Sequence, residues 1–271
     1  MVCTNRQFYH NSYFVIRNSY LFHNTHYDKK MNIIITKNYE ELSTIAADIL
    51  ADIITKKPNA TLGLATGGTP LGLYKNLIAK HKAGKLDFSE ISSVNLDEYV
   101  GLDGTHNQSY RFFMNQNLFS SINIDEKNTH VPNGASPCAE AECAKYNDLL
   151  TKITIDLQIL GIGGNGHIGF NEPGTSFDST THTVVLKEET RRDNARFFNS
   201  IDEVPTHAIT MGISNIMAAK HILILASGEG KAQAIYDMVK VTPTENCPAS
   251  ALQNHPNVTV IVDLAAAKLL G

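Results

Sequence analysis

The chain has 271 residues, 42% of them hydrophobic and 18% charged, the profile of a globular protein with room for one large domain. No run approaches the roughly 18 uncharged apolar residues of a membrane helix, and 27 acids against 23 bases, a net charge of −4, offer no field to hold nucleic acid. Cys3, Cys138, Cys143 and Cys247 form no CxxC pair and no zinc spacing, so four free thiols and no metal are expected.

In chain order, residues 1–30 come first and differ in character from residues 31–271. They hold seven aromatics but one acid, Asp28, and neither helical nor strand periodicity persists across them. Their four bases and single acid leave the rest of the chain at about −7. The segment has no apolar secretory core and no amphipathic Leu/Ala/Ser transit pattern. It is expected to be an N-terminal extension outside the fold of a cytoplasmic protein, with the fold starting at Met31.

A strand at 32–35 opens the body, followed by helical spacing of Leu42, Ile45, Ala46, Ile49, Leu50 and Ile53, then a strand at 61–65. Further strands are expected at 91–96, 155–162, 208–211, 221–226 and 258–262, with helical patterns between several of them. No linker or repeat divides residues 31–271. The alternation predicts a single α/β domain with a doubly wound, mostly parallel sheet. A ligand of such a sheet lies beyond the carboxyl ends of its strands, where loops converge.

Three of those loops carry chemistry. Thr66-Gly67-Gly68-Thr69-Pro70 follows a strand and precedes a helical run, so backbone N–H groups and a helix N-terminus are available to an anion. It is not a Walker loop, because no Gly-Lys-Ser/Thr comes after it. Asp97 stands at a strand end in Asp97-Glu98-Tyr99, where a carboxylate can take a proton from carbon next to a carbonyl. In the third loop His167 and Glu172 are five residues apart, near enough for a carboxylate to orient an imidazole. Gly161–Gly166 matches GxGxxG, yet Pro173 and Gly174 interrupt any helix opening there, which argues against a dinucleotide site.

The segments TGGTP (66–70), NLDEYVGL (95–102) and GIGGNGHIGFNEPG (161–174), in this order, resemble the signatures of the glucosamine-6-phosphate deaminase (isomerase) family. The likeness covers 31–271. Related 6-phosphogluconolactonases share the Gly-His turn but lack FNEP. The resemblance implies a modified Rossmann-like fold with a mobile lid after FNEP, and conversion of glucosamine 6-phosphate and water to fructose 6-phosphate and ammonia without metal or organic cofactor. It assigns the C2 proton to Asp97, ring opening to His167, support of that histidine to Glu172, and Asn165 to a position where some members carry Asp. It assigns the substrate phosphate to Thr66, Gly67, Gly68 and Thr69 with Arg196 and Lys231.

Two rivals on related folds are a sugar-lactone hydrolase, which needs no carbon base, and a sugar-phosphate sensor. Sensors carry a helix-turn-helix ahead of the domain, and 1–30 lacks two helix-period segments. Allosteric members of the resembled family are hexamers activated by N-acetylglucosamine 6-phosphate, with basic residues on the lid strand. Here His182 and Val184 occupy those positions, so hyperbolic kinetics and a monomer or small homo-oligomer are expected.

Overall fold

The computed structural model describes residues 14–15, 31–195, 198 and 200–271. Its elements begin with β1 (Phe14–Val15), β2 (Asn32–Thr36), α1 (Tyr39–Lys56), β3 (Thr61–Leu64), α2 (Leu71–Lys82), β4 (Ser92–Asn95) and β5 (Asp97–Tyr99). Next come α3 (Tyr110–Asn117), β6 (Thr129–His130), α4 (Ala139–Lys152), β7 (Leu157–Leu160), β8 (His182–Val185) and α5 (Glu188–Ala195). The last are β9 (His207–Thr210), α6 (Ile213–Met217), β10 (Ile222–Ala226), α7 (Ala232–Lys240) and β11 (Val258–Asp263).

Local chemistry sets the element ends. Asn38 caps α1 by accepting the Glu41 N–H at 3.0 Å, and the Glu41 carboxylate reaches back to the Lys37 N–H at 2.7 Å. Leu42, Ala46, Leu50 and Ile54, four residues apart, form the buried stripe of this helix, which packs on β2, β10 and β11. Every residue of β7, β10 and β11 is buried, as expected of parallel strands covered on both faces.

Eight strands form the main sheet in the order β1-β2-β11-β10-β7-β3-β4-β6, all parallel except β1. In the two-residue β1, Phe14 stands opposite Ile35 and Val15 opposite Ile34 on β2; the rest of 1–30 lies outside the described residues. The doubly wound, mostly parallel sheet predicted from the alternation is the sheet observed. Because β10, β7, β3 and β4 are neighbours, the loops leaving their carboxyl ends face one another.

One strand predicted from composition has another home. Residues 207–210 join a separate three-stranded antiparallel sheet, β5-β9-β8, together with 97–99 and 182–185. A single residue, Leu96, separates β4 in the main sheet from β5 in the second, and its carbonyl accepts the Met211 N–H at 2.7 Å. Such short strands carry no period-2 signal of their own, and periodicity identifies a strand without naming its partner. Among the described residues, Cys138, Cys143 and Cys247 are free thiols, and no helix is long and apolar enough to cross a membrane. Cys3 lies outside them.

Candidate active site

A cavity of about 270 Å³ opens beyond the carboxyl ends of β3, β4, β7 and β10. Its floor on one side is the Thr66–Thr69 loop. Gly67 has φ +89°, a conformation that a side chain would strain, and α2 starts directly afterwards with no side-chain cap. Its first-turn N–H groups and helix dipole therefore suit an anion. Tyr39 of α1 ties this corner together: its hydroxyl lies 3.1 and 3.0 Å from the carbonyls of Gly68 and Thr69 and accepts the Gly72 N–H at 2.8 Å. Lys231 enters the same cavity from the short 3₁₀ turn after β10. That turn is anchored by Asp263 at the end of β11, which accepts from the Ser227 hydroxyl and the Gly228 N–H.

Asp97, the first residue of β5 and only 6% exposed, lines the same cavity. Burial, and then the neighbouring Glu98 carboxylate, push its pKa up to about 8. Tyr110 and Phe170 also line it, with rings stacked 6.1 Å apart at 11°.

The His167 imidazole lines the cavity as well. Its Nδ1 lies 2.7 Å from Asn165 Oδ1, while Asn165 Nδ2 donates to Glu172 Oε2 at 2.8 Å. A carboxylate only accepts, so the amide must turn its N–H₂ to Glu172 and its oxygen to the histidine. His167 Nδ1 is then the N–H donor, and Nε2 holds the lone pair. Glu172 Oε1 is 3.7 Å from His167 Nδ1, so its orienting influence passes chiefly through Asn165. Lys187, just before α5, lies 3.4 Å from Glu172 Oε2.

Of the residues singled out from sequence, Thr66, Gly67, Gly68, Thr69, Asp97, His167 and Lys231 share the one cavity, with Asn165 and Glu172 directly behind the histidine. Arg196 lies outside the described residues. Tyr110 and Phe170 were not anticipated. Ser109 ahead of YRFFMNQN is a helix-start signal that locates Tyr110 at the head of a helix, but nothing local aims that helix at Asp97.

The fold and cavity define an α/β protein with an anion corner, a buried carboxylate and an oriented imidazole around one cavity. The profile of the glucosamine-6-phosphate isomerase/6-phosphogluconolactonase family matches residues 37–261, and the chain belongs to that family. The glucosamine-6-phosphate deaminase of Clostridium perfringens (strain 13 / Type A) is 56% identical over 241 residues, which are 89% of this chain and 100% of that protein. The enzyme of the same name from Thermoanaerobacter pseudethanolicus is 54% identical over 241 residues, again 89% of this chain and 95% of the relative. A solved monomeric glucosamine-6-phosphate deaminase superposes with a TM-score of 0.86 at 51% identity, covering 88% of this chain and 100% of its own. The 6-phosphogluconolactonase from Trypanosoma cruzi, at 19% identity and a TM-score of 0.75 over 91% of this chain and 99% of its own, shares the fold.

Proposed function

We propose that this chain converts glucosamine 6-phosphate and water to fructose 6-phosphate and ammonia; the relatives it matches at 51–56% identity are named glucosamine-6-phosphate deaminase. It is an enzyme of aldose-ketose isomerisation with deamination. The observation that carries the mechanism is the presence in one cavity of a buried carboxylate, an imidazole oriented through its Nδ1 and an anion corner.

The phosphate sits on Thr66–Thr69 at the start of α2, with Lys231 beside it and Arg196 as a further ligand. His167 Nε2 takes the proton of the anomeric hydroxyl and returns it to the ring oxygen, and the C1–ring oxygen bond breaks to leave an open-chain aldehyde. Asp97 removes the C2 proton, acidified by that aldehyde, and the same proton is delivered to C1. One N–H proton passes to the former aldehyde oxygen, so C1 becomes a hydroxymethyl carbon and C2 carries an imine. Water adds to C2, ammonia leaves, and a ketone remains. A lactone hydrolase has no step for a carbon base, so a buried carboxylate, Asp97, in the cavity favours the isomerase reading.

Asp97→Asn keeps the shape and removes the base. It is expected to abolish C2 deuterium exchange and ammonia release while substrate still binds; near wild-type turnover would overturn the assignment. Lys231→Ala removes a charge-assisted bond of about 1.5–3 kcal/mol. The Michaelis constant for glucosamine 6-phosphate should rise roughly ten- to a hundredfold, with little change for unphosphorylated glucosamine. An unchanged constant would place the phosphate elsewhere.

The reading extends to assembly and extent. The segment after Glu172 that holds β8 and α5 is the proposed lid. On β8, His182 Nδ1 already donates to the Thr180 carbonyl at 2.7 Å, and Val184 has no donor. This supports hyperbolic kinetics and a monomer or small homo-oligomer, a reading that sigmoidal rates made hyperbolic by N-acetylglucosamine 6-phosphate would refute. Residues 31–271 are proposed as the catalytic domain, acting in the cytoplasm.

A further inference from the structure

Glu98 follows Asp97 on β5 and is 1% exposed, yet it does not line the cavity. Successive strand residues point to opposite faces, and Glu98 points to the start of α3. Its Oε1 accepts the Tyr99 and Tyr110 N–H groups at 2.9 and 2.8 Å, and its Oε2 accepts the Arg111 N–H at 3.0 Å. Ser109 takes the next donor, the Phe112 N–H, at 3.0 Å. Glu98 and Ser109 together satisfy the first turn of α3, and an anion there is favoured by the helix dipole. A cap alone requires only a small acceptor such as Ser or Asn. A buried carboxylate next to a second buried carboxylate is a costly way to supply one.

We propose that Glu98 is a positioning residue that acts through Asp97: it ties β5 to α3 so that Asp97 and Tyr110 face the cavity, and its charge makes Asp97 a stronger base toward the carbon-bound proton. The inference rests on the reading of Asp97 as that base. Isolated carboxylates are weak bases for a proton on carbon, and efficiency rises as proton affinity approaches the working pH. Around the pair, Arg111 and Tyr110 come from α3, Tyr99 from β5 and Tyr146 from α4, while His167 and Lys231 stand on the cavity wall. The opposing residues of β9, Ile209 and Thr210, carry no charge. Arg111 favours the Glu98 charge through space, a weaker influence than burial and the three N–H donors, while its guanidinium donates to the hydroxyl and carbonyl of Thr129 at 2.7 and 2.8 Å. Burial moves the Glu98 pKa up to about 7 against the pull of its N–H donors, and the Glu98 charge is, after burial, the second cause of the raised Asp97 pKa.

Glu98→Gln keeps an acceptor oxygen and the side-chain shape but removes the charge. In the full chain, the acid limb of the pH profile for C2 deuterium exchange should move down by about one pH unit or more. The exchange rate above that limb should fall several-fold, with the Michaelis constant for glucosamine 6-phosphate unchanged. An unmoved acid limb in the folded variant would overturn the proposal. Should Glu98→Gln fail to fold, ¹³C NMR titration of the side-chain carboxyls in the full chain decides. Glu98 should titrate first and Asp97 after it, because the charge already on Glu98 opposes the one forming on Asp97; an Asp97 midpoint in the ordinary carboxylate range, or below that of Glu98, would sink the idea. The two readings fail differently: exchange that survives Asp97→Asn removes the base, whereas exchange lost in Asp97→Asn beside a wild-type Asp97 midpoint below that of Glu98 removes only this inference.

Discussion

A Cβ on residue 163 would lie 2.2 Å from the His167 ring, so glycine alone leaves the imidazole where it stands. Gly163→Ala must push the ring aside, and Asn165→Ala cuts the link from Glu172 to Nδ1. Both are expected to slow the cyclic substrate by roughly 10²–10⁴, the usual worth of an acid-base group, and to spare an open-chain analogue. Equal losses on both substrates would argue against ring opening by His167. Asp97 also makes a stability prediction. Its folded pKa lies above the unfolded 3.8, so the stability linked to its neutral form is complete below that value and is lost as pH rises toward about 8. Asp97→Asn should therefore melt higher than wild type at pH 8, with the difference shrinking toward pH 4. A melting difference that does not vary with pH would mean that Asp97 is not buried as described.

Elements act on the site from a distance. Tyr39 belongs to the first turn of α1, some thirty residues before the phosphate corner, yet its hydroxyl holds both the loop and the start of α2. Tyr39→Phe removes those bonds and leaves the ring. A loss of about 0.5–1.5 kcal/mol should appear as a several-fold rise in the Michaelis constant for the phosphorylated sugar with kcat nearly unchanged. If kcat falls instead, the corner is positioning the reacting carbons and not only the phosphate. The single residue between β4 and β5 matters in the same way. It lets the chain leave the main sheet just where Asp97 must enter the cavity, and β9 then holds β5 by antiparallel pairing.

At the scale of the molecule, the end of the sheet away from the cavity has its own clamp. Asp156, 8% exposed, accepts from Lys57 at 2.6 Å, Lys220 at 3.0 Å and the Thr61 N–H at 2.9 Å. It joins the end of α1, the start of β3 and the approach to β10. Burial opposes its charge, but the bonds from Lys57, Thr61 and Lys220 hold its pKa below the usual carboxylate range. The stability it contributes is present above the unfolded value of 3.8 and is lost as pH falls through the lower folded value. Asp156→Asn should cost about 1–3 kcal/mol at pH 7, less in acid, and an equal loss at pH 3 and pH 7 would refute the clamp. A chain beginning at Met31 is expected to fold and turn over like the full chain. The pairing of Phe14 and Val15 with β2 is what it would lose, and insoluble or inactive protein would show that this edge needs its cover.

Much of this was legible in the chain alone, because it arises from local chemistry. Strand and helix alternation implies a parallel sheet, glycine and proline mark the turns, and residues of one loop such as Asn165, His167 and Glu172 are near one another in any fold that keeps the loop. What they do to one another was not legible, because a hydrogen-bond relay depends on which way an amide faces. Periodicity likewise identified 208–211 as a strand but could not assign it to the antiparallel sheet, where β5 and β8 are its neighbours. The juxtapositions that build the site join residues far apart in sequence: Tyr39 with Gly68, Glu98 with Arg111, Asp97 with Lys231 across a cavity. Only packing decides those, since burial and the groups that the fold brings against a side chain set its proton affinity as much as its neighbours in the chain do.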